Sequence, residues 1–423
     1  MLDLRFIREN ADKVRWAIEV KNVNLDLDEL LAVDKAVLDL RKKIDEVRTE
    51  RNTNAKSMNR KDITPEERQA IIEKGRALGE ELKTLEPSLS EAEVKLRQLQ
   101  LLTPNIPDED VPVGKDDSEN VEVKRVGTPR EFDFTPLHHV DILMNHQWAD
   151  FERVAKVSGS RSYSLKGQAM LLEMSIHRMA MDLLYQKGFT LITLPAMARE
   201  FAFEGTGHFP SGRDQVYFLP EDDIFLSGTA EVPANALHSG EILDETDLPI
   251  NYAAYSPCFR REAGSGGRDV RGLIRVHQFT KVEQYILCKN DNEEMRKWHG
   301  TLLGIAEEIV QMLELPYRIV EVCTGDMGAG KVKMHDVECW VPSEQKYRET
   351  HSCSSLGDWQ ARRTNLRYRD SEGKVRFCYT LNNTAVATPR ILVPLLENHQ
   401  QADGAIRIPK ALQPYMGNVD KIS

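Results

Sequence analysis

The segment "PCFRREAGSGGRDVRGLIRVHQFTKVE", Pro257 to Glu283, carries the reading of this chain. Five arginines, Arg260, Arg261, Arg268, Arg271 and Arg275, surround a run with glycine at Gly264, Gly266, Gly267 and Gly272. Guanidinium groups present forks of N–H donors that match phosphate and carboxylate oxygens. Glycine lets a turn approach a ligand closely. The pattern predicts two strands joined by a turn that meets an anion, with Arg260 and Glu262 on one strand face and a second strand through "LIRVHQF". The same spacing also describes a salt-bridged surface hairpin. Its neighbours in the sequence decide between the two.

Three other stretches supply that company. "SGTAEVPAN" places Thr229 and Glu231 together just before a helix. "YRETHSCSSLGDWQARR" sets Glu349 and Ser352 three residues apart. "TLNNTAVATPRILVPLLEN" runs a polar strand into a helix with Arg390 near its start, where a helix N-terminus and a guanidinium both face an anion. A fourth, "GDMGAGKV" (325–332), has the spacing of a phosphate-binding loop but lacks the Ser or Thr that such a loop places on magnesium. A strand-like pattern follows it where the motif demands a helix, so a surface turn is expected. Adjacent His138 and His139 would point to opposite faces of a strand. They, His177 and His299 read as structural.

Composition narrows the class. The chain has 423 residues and a formal charge of −11, which argues against a protein that coats nucleic acid indiscriminately. Its length suggests two or three units. The six cysteines form no C-x-x-C pair, so neither a structural zinc site nor a redox pair is expected, and the usage suits a reduced, cytoplasmic setting. The charged start "MLDLRFIREN" does not have the form of a signal peptide, and no apolar run is long enough to cross a bilayer.

The first hundred residues follow a different rule from the rest. Val33, Val37, Leu40, Ile44 and Val47 form a heptad seam, and Leu78, Leu82, Leu85, Leu89, Ala92, Leu96 and Leu99 form a second. Thr64, Pro65 and Glu67 mark a helix start between them. An antiparallel coiled-coil arm over about 27–101 is expected within an N-terminal domain of 1–103. A kink is expected at Pro87. Residues 104–120, rich in Pro and Asp, read as a linker. Many strands without strict βαβ alternation make 121–423 an α+β domain on a mainly antiparallel sheet.

With these motifs in order, the chain resembles the bacterial-type seryl-tRNA synthetases, a class II aminoacyl-tRNA synthetase family, along essentially its whole length. The long helix and strand ending at Pro195, the Arg260–Glu262 segment and the strand–helix bearing Arg390 correspond to the three class II signatures. The resemblance implies activation of L-serine by ATP to seryl-adenylate, then transfer to tRNA(Ser) and also to tRNA(Sec), by a cytoplasmic homodimer. It implies that Arg260, Arg390 and Glu349 are catalytic. Thr229, Glu231, Arg260, Glu283, Asn382 and Thr384 would bind serine, with Thr229, Glu231 and Glu283 as ammonium and hydroxyl contacts. Arg260, Arg261, Glu262, Val276, Phe279, Glu349, Thr350, His351, Ser352 and Arg390 would contact ATP, with Phe279 stacked on the base. Glu349 and Ser352 would hold Mg2+. Arg41, Lys42, Arg48 and Arg51, within a basic run that includes Lys61, would meet the tRNA. The departure from Asn383 to Pro389, within "NNTAVATPR" (382–390), leaves the shape beside Thr384 open. Two alternatives remain: a paralogue that activates serine for a non-translational acceptor, and a non-catalytic RNA-binding relative.

Overall fold

The computed structural model describes every residue except Lys61, Ser265, Gly266 and 268–271. Gly266, Arg268 and Arg271 of the arginine cluster, and Lys61 of the arm, lie outside the described residues. The chain divides into two units, one of 1–19 with 23–104, the other of 20–22 with 105–423.

In the first unit, helices Leu27–Ser57 and Pro65–Leu102 form the hairpin. Asp26 caps the first helix, and Thr64 with Glu67 closes a reciprocal capping box on the second. Ile44, Val47, Leu78 and Leu82 are buried in the seam, with Leu85 and Leu89 packed against them. Ion pairs cross it, among them Lys43–Glu81 at 3.1 Å and Lys74–Glu50 at 2.7 Å. The second helix is not interrupted at Pro87. A proline there forfeits one bond to a carbonyl four residues back, which this long, packed helix absorbs.

The second unit is built on one eight-stranded sheet. Its strands in chain order are β1 (Val121–Val126), β2 (Thr190–Thr193), β3 (Ile250–Phe259), β4 (Gln278–Cys288), β5 (Tyr317–Glu321), β6 (Lys333–Val341), β7 (Lys346–Gly357) and β8 (Tyr379–Thr388). They lie in the order β1-β5-β6-β7-β8-β4-β3-β2. Every neighbouring pair is antiparallel except β2 with β3. Helices Gln168–Gln186, Asn292–Met312 and Leu392–His399 bring Leu172, Ile176, Leu302, Ile309 and Leu395 into the core on this sheet. Such one-sided layering follows from the period-2 apolar face of the strands meeting the 3.6-period stripe of the helices.

Residues 105–120 are a strap on this unit rather than a free linker. Asn105 is buried and its amide nitrogen donates to the carbonyls of Gly330 (3.1 Å) and Leu356 (2.8 Å). Val111 packs with Val322, Met327 and Met334. The strand expected from Leu273 begins only at Gln278, because residues 272–277 bend along a cavity wall.

Candidate active site

A cavity of about 410 Å³ opens on the sheet where β7, β8 and β4 lie side by side. Strand alternation places Phe279, Lys281 and Glu283 of β4 on one face, and all three line it. Thr384 of β8 is the register partner of Glu283, and Asn382 stands two residues away on the same face. On β7 a spacing of three should divide Glu349 from Ser352. The register shift between Val337 and Glu338 skips Thr350, however, so that Glu349, Thr350 and Ser352 all reach the cavity.

The Arg260–Glu262 segment departs from the expected shape. β3 ends at Phe259, and Glu262 has φ of 53°, so the two residues do not share a strand face. A left-handed turn brings both side chains to the cavity instead. The Arg260 guanidinium lies 5.1 Å over the Phe279 ring, and its Nε donates to the Gly228 carbonyl at 3.3 Å. The Glu262 carboxylate accepts from Arg275 Nη1 at 2.9 Å. At the far side, Arg390 Nη1 faces Glu349 Oε2 at 3.5 Å, while its Nε donates to the Ile274 carbonyl. Val276 completes this wall.

Two expected residues are not brought in. Arg261 lies outside the cavity on an exposed groove with Arg213 and Tyr217. His351 alternates to the other side of β7, where it is buried with its Nδ1 2.8 Å from Thr350 Oγ1. Burial lowers its pKa to about 4 and keeps it neutral. The histidine pair stands at a helix start rather than on a strand. His138 caps a helix that His139 begins, and the His139 Nδ1 is 2.9 Å from Glu397 Oε1 while its Nε2 accepts from the Leu273 N–H. Among the described residues, these two and Glu397 are the one His/acid triplet close enough to share an ion. Both ring nitrogens of His139 are engaged, so the cluster is a structural clamp.

The pocket floor carries buried charge. Glu231 and Glu283 are both pushed above the usual carboxylate range by desolvation, an effect that Lys281 and Arg260 oppose. Gln360 Nε2 donates to Glu231 Oε1 at 2.7 Å and its Oε1 accepts from Thr380 Oγ1, also at 2.7 Å. Lys281 forms an ion pair with Glu283 and donates to Thr229 Oγ1 at 2.7 Å. Neither Lys281 nor Gln360 was expected. The period-2 alternation between Phe279 and Glu283 was a sufficient signal for Lys281. Gln360 sits on a six-residue helix, Trp359–Thr364, with no comparable sign.

The surface-turn expectation for 325–332 is overturned. Gly328, Ala329, Gly330 and Lys331 line the cavity, and β6 follows at Lys333, so the loop is not a nucleotide loop of the helix-opening kind. Lys21 Nζ donates to the Ala329 (3.1 Å) and Lys331 (2.5 Å) carbonyls and holds it. Trp359 closes the end of the cavity against Gly207, where φ is 83° and a Cβ would overlap the indole. Gly207→Ala is therefore expected to cost about 2–4 kcal/mol from strain and overpacking together. Thermal unfolding of the variant checks this.

The oxygen donors near Glu349 and Ser352 suit a hard cation. Asp336, directly opposite Ser352 on β6, is buried with Oδ1 lacking a hydrogen-bond partner. Desolvation and Glu349 push its pKa well above the ordinary value. In the arm, Arg41 and Arg48 are engaged across the hairpin with Glu93 (2.6 Å) and Glu86 (2.8 Å). Lys42 and Arg51 are exposed.

Comparison with known proteins follows this geometry. Residues 218–399 match the model of the tRNA synthetase class II core domain (G, H, P, S and T), and residues 1–107 match the seryl-tRNA synthetase N-terminal domain. The chain is 60% identical to a serine–tRNA ligase of Deinococcus radiodurans over 417 residues, covering 99% of this chain and 98% of the relative. It is 42% identical to that of Methanocella arvoryzae, covering 99% and 100%. The crystal structure of seryl-tRNA synthetase from Pyrococcus horikoshii complexed with ATP superposes with a TM-score of 0.93 at 39% identity, covering 100% of this chain and 99% of that one. The cytoplasmic serine–tRNA ligase of Naegleria fowleri in complex with AMP gives 0.88 at 29%, with the same coverage.

Proposed function

Because the chain belongs to the seryl-tRNA synthetase family and is a serine–tRNA ligase of the class II fold, we propose that the cavity on β4, β7 and β8 is where serine and ATP react. The observation that carries this reading is the pairing of two guanidinium groups, Arg260 and Arg390, at a cavity whose floor holds half-buried Glu231 and buried Glu283. Cations suit a polyphosphate, and the acidic floor suits an α-ammonium.

In this reading a serine carboxylate oxygen attacks the α-phosphorus of ATP, the bond to the bridging oxygen breaks, and pyrophosphate leaves. A hydroxyl of the terminal ribose of tRNA(Ser) then attacks the carbonyl carbon and AMP leaves. Two anions meet in the first step, so the residues act by neutralising and aligning charge. Arg260 contacts the α-phosphate and the serine carboxylate, and Arg390 the γ-phosphate. Glu262 reads the adenine amino group, Phe279 supplies a stacking face and Val276 an apolar wall. Thr350 belongs to the same surface. Glu349 and Ser352, backed by Asp336, would hold Mg2+, which when bound screens phosphate charge. Asn382 and Thr384 close the serine pocket beside Glu283.

We further read the protein as a cytoplasmic homodimer that also charges tRNA(Sec). Supporting the dimer are the exposed apolar Met170, Leu171 and Met174 on helix Gln168–Gln186, with Leu191 and Tyr255 exposed on β2 and β3. Among the described residues no helix is long and apolar enough to cross a membrane. The arm supports tRNA binding through shape and phosphates, which is how proteins commonly meet folded RNA. Of the four arm residues considered, Lys42 and Arg51 are better placed for phosphate, since Arg41 and Arg48 already hold carboxylates.

The test separates the two half-reactions. Replacing most of the hairpin by a short linker is expected to leave serine-dependent exchange of pyrophosphate into ATP within about threefold of the full chain, and to reduce charging of tRNA(Ser) by about a hundredfold or more, the scale of losing several phosphate contacts. Equal loss of both activities would count against a separate tRNA-binding arm. Serine activation without charging of any tRNA by the full chain would favour the paralogue instead.

A further inference from the structure

Among the described residues, the lysines and arginines that line the cavity are Arg260, Arg275, Lys281, Lys331 and Arg390. Three of them already face carboxylates: Arg275 meets Glu262, Lys281 meets Glu283 and Arg390 meets Glu349. Arg260 and Lys331 have no carboxylate partner among the described residues. The reading above gives Arg260 the α-phosphate and the serine carboxylate, and leaves Lys331 without a task. Its Nζ donates to the Met334 thioether at 3.0 Å, a weak acceptor that leaves two N–H donors to spare. Fixed backbone delivers this ammonium. The Lys331 N–H donates to the Gly328 carbonyl at 3.1 Å, the Val332 N–H to the Ser355 carbonyl at 2.7 Å, and Lys21 holds the Ala329 and Lys331 carbonyls. Gly328 is exposed yet lines the cavity, and the Lys331 methylenes lie within 4 Å of where its Cβ would stand. The side chain therefore runs along the cavity rim.

We propose that Lys331 binds the last internucleotide phosphate of the acceptor tRNA, and so serves the second half-reaction and not the first. This rests on the serine and ATP site proposed above. To react, the terminal ribose must stand at the carbonyl carbon inside the cavity. The phosphate that links this nucleotide to the rest of the strand is then the nearest anion behind it, at the rim. Carboxylates of the cavity oppose the approach of RNA, and Lys331 offsets them. Desolvation raises the pKa of Glu231 and of Asp336, and the charge of Lys331 works against the rise at both. A rim ammonium that no carboxylate has neutralised is free to meet a phosphate as a point charge. The role is binding, with no bond made or broken at the lysine.

Two measurements on the full-length enzyme separate the steps: pyrophosphate exchange, and single-turnover transfer from preformed seryl-adenylate to tRNA(Ser). Lys331→Met is expected to raise the tRNA concentration for half-maximal transfer about thirtyfold, the scale of one charged hydrogen bond. The KM values for serine and ATP in exchange should stay within about threefold of the parent. The plot of log affinity for tRNA against log salt should become shallower by about 0.7, as for one phosphate contact on a single strand. Lys331→Arg, which keeps the charge, should return transfer to within about fivefold of the parent. A tRNA(Ser) carrying an uncharged methylphosphonate at its last internucleotide linkage locates the contact. With the parent enzyme it should lose about as much as ordinary tRNA loses with Lys331→Met, and the two changes together should add less than about threefold.

Unaltered transfer by Lys331→Met would overturn the proposal. So would a serine or ATP KM that rises in step with the tRNA requirement, or effects of the lysine and phosphate changes that multiply. Should Lys331→Met fail to fold, the methylphosphonate tRNA with the parent enzyme decides: an unchanged rate of transfer refutes it. Arg260→Ala separates this from the site reading. If that variant keeps its exchange activity, the site itself is wrong; if it loses it while the Lys331 variants use tRNA as the parent does, only the present inference falls.

Discussion

Arg260→Ala is expected to lower kcat/KM for serine in pyrophosphate exchange by about a thousandfold, the scale of removing a fixed charged donor from a developing transition state. Most of the loss should fall on kcat, because attack of a carboxylate on a phosphate ester brings negative charges together only as the new bond forms. The structure gives a reason why substitution should not cost the fold. Arg260 is exposed and makes few internal contacts, its guanidinium resting on Phe279 and its Nε on the Gly228 carbonyl. Lysine at this position should recover little, since a point charge cannot form the two-pronged contact. Single-turnover adenylate formation separates the chemical step from binding. A variant with unchanged kcat and a raised KM would show that Arg260 only holds substrate.

Glu283→Ala is expected to lower kcat/KM for serine by about a thousandfold or more, and to reduce discrimination against alanine from about ten-thousandfold to about tenfold. The physical basis is the burial of this carboxylate against Lys281. Desolvation works against its charge and the neighbouring ammonium opposes that only in part, so an amino acid lacking the hydroxyl leaves a costly group unsatisfied. Removing the carboxylate also strands the Lys281 ammonium, and some loss of stability should accompany the loss of specificity. Competition between serine and alanine for adenylate formation reads the discrimination directly. Unaltered discrimination in a folded variant would remove Glu283 from the serine pocket.

The cavity shows where one-dimensional pattern is informative and where it fails. Glu283, Thr384 and Asn382, named through the family resemblance, lie on regular strands and sit on the faces that alternation assigns. Lys281 obeys the same alternation, although it is absent from the residues the sequence singles out. Errors cluster at irregular backbone. Glu262 reaches the cavity through a positive φ, not through a shared strand face, and Glu349 joins Ser352 because a bulge resets the register of β7. Neighbouring Arg261 and His351 look equivalent in sequence, but Arg261 lies on a separate groove and His351 alternates to the other side of β7 from Ser352. Loop 325–332 looked like a surface turn because nothing local reveals Lys21 and Asn105, distant in sequence, holding its carbonyls.

What the residues alone determined is the local and the periodic. The heptad seams and the capping box specify the hairpin, and the alternating strands specify an antiparallel sheet, because each is written in spacings of a few positions along the chain. Motif identity belongs there as well, since the order of the three signatures is a property of the chain. Tertiary structure alone decided which ionisable groups share a desolvated space. Lys281 meets Thr229 across 52 positions and Gln360 meets Glu231 across 129. The energy of such pairs depends on distance and burial, two quantities that exist only once the sheet has closed over them.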